Sequence, residues 1–164
     1  MRNLQVDQDM DFQRREWRME RAGWAGLTVF VLAACAGAFG GGPLSHATAS
    51  DPSGQLVLQY ERFVRASAAS ELRVRVRPSA ATEGEVAVWI DLSYLRDLEV
   101  SSVVPEPKRV EQDGERVTYV FASTAAGELG DIGVRFKPTR AGRLHGRFGL
   151  STGATAAVRQ FVFF

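Results

Sequence analysis

Cysteine is almost absent from the sequence: the single one, Cys35, falls inside an apolar stretch near the N-terminus. Everything beyond that stretch has no disulfide available and must be held by its own core. Histidine is scarce too. His46 and His145 stand alone, with no cysteine or second histidine at ligand spacing, so neither a zinc nor a copper site is expected, and no cofactor. Only Lys108 and Lys137 interrupt a basic complement that is otherwise arginine. That bias reads as the coding preference of a GC-rich genome rather than as phosphate recognition, the chemistry that otherwise favours arginine. An excess of charge is missing as well. With a net charge of +1, nucleic acid is not an expected partner. The 164 residues suffice for one domain and an appendage.

Charge is also absent from Ala22 to Phe39. As a helix this run would cover about 27 Å, close to the ~30 Å of a bilayer's hydrocarbon layer. Gly40, Gly41, Gly42 and Pro43 would end the helix, and Trp17 and Trp24 lie where indoles favour the headgroup layer. Arg2, Arg14, Arg15, Arg18 and Arg21 precede the run, and no Lys or Arg follows it until Arg62. The expected orientation keeps the N-terminus in the cytoplasm and sends the C-terminal part across a bacterial inner membrane into the periplasm. Two processing signals compete with an uncleaved anchor. Leu32-Ala33-Ala34-Cys35 reads like a lipobox, with Cys35 the lipidated residue, and Ala47-Thr48-Ala49 offers a site for signal cleavage. The long N-terminal region with five acids, and the continuation of the apolar run to Phe39, favour the anchor. Small residues spaced four apart, among them Ala22 and Gly26, and Ala33 and Gly37, would let another helix approach closely.

Residues 40–54 have no apolar periodicity and read as a flexible tether. Beyond them the period becomes two. Leu72, Val74 and Val76 alternate with Arg73, Arg75 and Arg77, and Val86, Val88 and Ile90 alternate with Ala87 and Trp89. Similar runs follow around Leu98, Val117, Ile132 and Leu144, and the chain closes on Val158 to Phe164. Asp113-Gly114 marks a tight hairpin, and Pro78, Pro105, Pro107 and Pro138 fall at strand ends. Seven to nine short strands without a convincing helix predict an all-β domain over 55–164, an immunoglobulin-like antiparallel β-sandwich. The full expected layout is a cytoplasmic segment 1–21, a transmembrane helix 22–39, a tether 40–54 and the sandwich.

Catalytic patterns are weak. Ser93, Ser101, Ser102 and Ser123 have no glycine-flanked elbow, and His145 has no acid close in sequence, so a hydrolase triad would have to assemble in space. Gly40 to Gly42 precede no phosphate-binding turn. One anchor carrying a sandwich is similar to the copper-delivery proteins of oxidase assembly, but their Cys-x-Cys pair has no counterpart here. What remains are surfaces. Arg73, Arg75 and Arg77 form a row, and Arg135, Arg143, Arg147 and Arg159 share outward phases. Together with the out-of-phase Trp89 they are candidates for contact with lipid headgroups or an acidic partner. The alternative is a solvated face balanced by Glu71, Glu85, Glu99 and Glu115.

Two further stretches, Phe39-Gly40-Gly41-Gly42-Pro43-Leu44-Ser45 and Tyr60-Glu61-Arg62-Phe63, occur together. The combination resembles an uncharacterised family of small bacterial single-pass membrane proteins. The resemblance implies a topology and a bacterial source, and no activity. The expected protein is a non-enzymatic accessory whose sandwich contacts the outer face of an integral membrane protein. The alternative readings are a lipoprotein or secreted module binding a small ligand or glycan, and a hydrolase.

Overall fold

The computed structural model describes residues 10–35, 44–77, 84–123 and 131–164, with side chains from residue 15 onward. The chain divides into two compact units, Met1–Ala36 and Gly37–Phe164.

The first unit holds helix α1, Met10–Cys35. Its described side chains are exposed almost throughout, including Trp24, Leu27, Val29, Phe30, Val31 and Leu32. The Arg21 guanidinium lies 3.7 Å from the centre of the Trp17 ring, one turn back. Among the described residues no helix is long and apolar enough to cross a membrane. The expected span over 22–39 is corrected to that extent. The described uncharged part of α1, Ala22–Cys35, covers about 21 Å. It is diluted by Ala, Gly and Thr, and the turns before it carry Arg15, Glu16, Arg18, Glu20 and Arg21. The rest of the expected span, Ala36 to Phe39, lies outside the described residues, and so does Gly37 of the small-residue pattern. Gly26 and Ala33 are on α1, and nothing stands within 4 Å of where a Gly26 Cβ would be.

The second unit is a β-sandwich. One sheet has the order β1-β2-β4-β9-β6 and the other β3-β11-β10-β5-β8-β7. In chain order the strands are β1 His46–Ser50, β2 Leu56–Glu61, β3 Phe63–Arg65, β4 Ser70–Val76, β5 Glu85–Asp91, β6 Leu98–Val104, β7 Arg109–Asp113, β8 Arg116–Ala122, β9 Ile132–Pro138, β10 Gly142–Leu150 and β11 Thr155–Phe163. The alternation seen in the sequence is the burial pattern. Leu72, Val74 and Val76 turn inward while Arg73 and Arg75 stay exposed, and β11 repeats this over all nine of its residues. The core is filled from both sheets, with Leu56, Leu58, Leu72, Ile132 and Phe136 facing Val86, Ile90, Phe121, Phe148 and Val158. Each large side chain so buried stabilises the fold by about 2 kcal/mol. Asp113-Gly114 makes the expected hairpin, with Gly114 at φ +46° and Asp113 paired to Arg116. Strand β7 escaped sequence detection because all five of its residues are exposed and three are charged. Charges on such an edge discourage pairing with another chain.

The tether expected over 40–54 is corrected. Residues 46–50 form β1, in register with β2 from His46 opposite Glu61 to Ser50 opposite Val57. Ala47 is buried, and so is Ser45, whose carbonyl accepts from the Arg62 N–H. Short, small-residue strands lack the apolar contrast by which periodicity is read. After β1, Asp51 shapes the turn into β2. Its buried carboxylate accepts from the Leu56 N–H at 2.7 Å, from the Ser53 N–H at 2.9 Å and from the Ser53 hydroxyl.

Between β5 and β6 a single helical turn, α2 Leu92–Leu95, swings Tyr94 into the core, its ring edge-on to Phe148 at 5.6 Å. The ring fits because residue 146 is glycine: a Cβ there would lie 2.5 Å from Tyr94 Cγ. Gly146→Ala is expected to lower stability by about 1–3 kcal/mol through overpacking. Urea unfolding with an unchanged midpoint would show that the Tyr94 ring yields freely.

Burial works to raise the Asp51 pKa, but the hydrogen bonds from Ser53, Leu56 and Gln55 outweigh it and hold the carboxyl below its ordinary 3.8. A depressed carboxyl stabilises the fold fully above the unfolded value, and this is lost as pH falls through the lower folded value. Asp51→Asn should therefore lower the thermal midpoint at neutral pH and flatten its decline below about pH 4. Parallel melting curves for the two proteins across that range would remove Asp51 from the account.

Candidate interaction surfaces

A groove of about 600 Å³ lies against β1, β2, β4 and β9. His46, Thr48, Gln59, Tyr60, Arg73 and Arg135 line it, with Glu61 and Glu71. Pairing of β4 with β9 sets Glu71 opposite Arg135 and Arg73 opposite Gly133. Glu71 then serves two arginines, Arg73 at 2.9 Å and Arg135 at 3.6 Å. Arg75 reaches Asp131 through two bonds, of 2.6 and 3.1 Å. Hydrogen bonding to Arg75 holds the Asp131 carboxyl below its usual range against a smaller opposing effect of desolvation. Arg77 follows β4, its backbone N–H donating to the Gln55 carbonyl at 3.0 Å. The expected arginine row exists, with Arg73 and Arg75 answered by carboxylates and Arg77 in none of the ion pairs among the described residues. These pairs are solvent-exposed and contribute little to stability.

Trp89, Arg143, Arg147 and Arg159 belong to the other sheet, so the expected contact residues do not form one patch. The pairing of β4 with β9 that assembles Arg73 and Arg135, like the placing of β10 beside β5, joins distant parts of the chain and left no local signal. Trp89 lies across Gly149, its cross-strand partner, where a Cβ would stand 2.3 Å from the indole. The Arg116 guanidinium covers the other side of the ring at 4.0 Å. The indole is thus half-buried between a glycine and an arginine. Arg147 bonds Asp91 at 3.0 Å. At the far end of this sheet, hydrogen bonds from Lys108 and Arg109 lower the Glu85 pKa.

Asp91, Ser93 and His145 line one shallow hollow of about 390 Å³ with Arg147 and Arg159. These are the residue types of a hydrolase triad. The carboxylate is engaged by the Arg147 side chain and backbone, and the structure records no hydrogen bond between His145 and either Ser93 or Asp91. Among the described residues no cluster of three or more His, Cys, Asp or Glu is placed to hold a metal ion. Cys35 is exposed at the end of α1.

No family model matches this chain. No curated protein matches it either. Among solved structures, a cohesin module from the family 33 glycoside hydrolase of Clostridium perfringens ATCC13124 superposes with a TM-score of 0.40 at 11% identity, over 71% of this chain and 98% of that one. At that score and identity the likeness carries no functional argument.

Arg116→Ala should uncover the Trp89 ring. In a Trp17→Phe, Trp24→Phe background, iodide quenching of the remaining tryptophan emission is expected to rise severalfold. Quenching equal to that of the parent would mean that Arg116 does not cover the indole in solution.

Proposed function

We propose that the protein is a membrane-anchored, non-enzymatic interaction module. The apolar N-terminal segment holds an immunoglobulin-like sandwich at the outer face of a bacterial inner membrane, where its polar face contacts a membrane-protein partner. The observation that carries this reading is where the polar groups lie. They spread over the two broad outer faces of the sandwich, in open grooves suited to a macromolecular surface rather than to an enclosed substrate. The membrane part rests on the sequence: an uncharged run from Ala22 to Phe39, with the basic residues gathered on one side of it. The exposed apolar side chains of α1 agree with a segment that leaves water.

The fold also weighs among the processing alternatives. A cut after Ala49 would strip β1 of four of its five residues and delete the buried Ser45 and Ala47, which makes signal cleavage there costly. Lipidation of Cys35 would leave every strand intact and is the surviving alternative.

The untagged protein expressed in a bacterial host should remain in the carbonate-washed membrane pellet with an intact mass near 18.0 kDa. A chain recovered from the soluble fraction would overturn the anchoring. A mass beginning at Cys35 with added acyl groups would replace the helix by a lipid.

A further inference from the structure

The two outer faces differ in one respect that the arginine count hides. On the face carrying Arg73, Arg75 and Arg135, each arginine has a carboxylate within 3.6 Å. On the opposite face, strands β3, β11 and β10 contain no aspartate or glutamate at all. Their outward positions lie side by side: Phe63 beside Phe161 beside Arg143, then Arg159 beside His145. Arg65, Arg143 and Arg159 are exposed and make none of the ion pairs found in the structure. Two carboxylates beside this face are already engaged, Asp91 by Arg147 at 3.0 Å and Asp97 by Arg140 at 2.8 Å. Phe161 is 47% exposed amid these cations, and the terminal Phe164 is 91% exposed. The described part of the sandwich starts at the same edge, where the Ser45 hydroxyl donates to the Phe63 carbonyl and the exposed Leu44 precedes it.

We infer that this face docks on the anionic headgroups of the membrane that anchors the chain, which leaves the neutralised groove of the other sheet free for a protein partner. Unanswered arginines supply the attraction to anionic lipid. Exposed phenylalanine and leucine at the same edge suit the headgroup–acyl boundary, which an acidic protein surface would not require. The first sheet suits this less, because Arg73, Arg75 and Arg135 would have to give up Glu71 and Asp131. The inference rests on the membrane reading above.

The test uses the full chain, with Cys35→Ser removing the native thiol so that a fluorophore can be placed on Ala157→Cys, on the basic face, or on Thr48→Cys, on the other. Each protein is reconstituted into phosphatidylcholine vesicles with or without one third phosphatidylglycerol, all carrying a trace of headgroup-nitroxide quencher. Quenching at position 157 should appear in the anionic vesicles, fade at high salt, and be absent at position 48. Arg143→Glu with Arg159→Glu should reduce the docked-to-free ratio by at least about twentyfold, each lost arginine counting for about fivefold. Protein that pellets with both vesicle types but shows equal quenching at 157 and 48 would overturn this inference and leave the anchoring standing. Protein that pellets with neither would remove both.

Discussion

One buried chain of hydrogen bonds ties the two sheets together where no disulfide can. The Tyr94 hydroxyl donates to Gln160 Oε1 at 2.7 Å, and Gln160 Nε2 donates to the Glu61 carbonyl at 2.8 Å. Tyr94 stands after β5, Gln160 lies on β11 and Glu61 ends β2, so the chain passes from one sheet into the other. Burial pushes the tyrosine pKa far upward, helped by Tyr60, which keeps the phenol a donor. Gln160 is 3% exposed and has both ends of its amide satisfied. Removing either partner would leave a polar group unmet in the core, at about 1–3 kcal/mol. The glycine at 146 follows from this arrangement, since only a missing Cβ lets the ring reach that position.

Much of the sandwich was legible because alternation survives wherever one face is buried. The runs from Leu72 to Val76 and from Val86 to Ile90 are the clearest cases, and Asp113-Gly114 announced its own hairpin. Strands β1, β2, β3 and β7 were not read from the sequence, and β1 and β7 were hidden for opposite reasons. His46–Ser50 is too small and weakly apolar to show contrast, and Arg109–Asp113 is polar on both sides. The candidate surface was legible only as phase. That Arg73 and Arg135 would meet over a shared glutamate depends on β4 pairing with β9, more than fifty residues away, which no local pattern encodes.

Arginine carries most of the positive charge on both faces, yet its role differs with what stands beside it. Where carboxylates occupy the neighbouring registers, the cations are spent within the sheet and the surface is polar but nearly neutral. Where the cross-strand neighbour is phenylalanine or histidine, as at Arg143 and Arg159, the charge stays available to something outside. Counting basic residues cannot separate these cases, whereas cross-strand register does.

Strand β3 pairs in parallel with β11, Val64 lying beside Val162. The two residues are separated by almost the whole sandwich sequence, so this edge has the longest closing loop in the fold. During synthesis β1, β2 and β4 can begin to associate early, but β3 gains its partner within the second sheet only once β11 has been made. A chain stalled before Thr155 would leave β3 without its partner strand and one edge of β10 unpaired, with β5 still held on the other. Topology thus makes β11 a late step in the assembly of the second sheet, and ties the protection of its neighbours' edges to the synthesis of that strand.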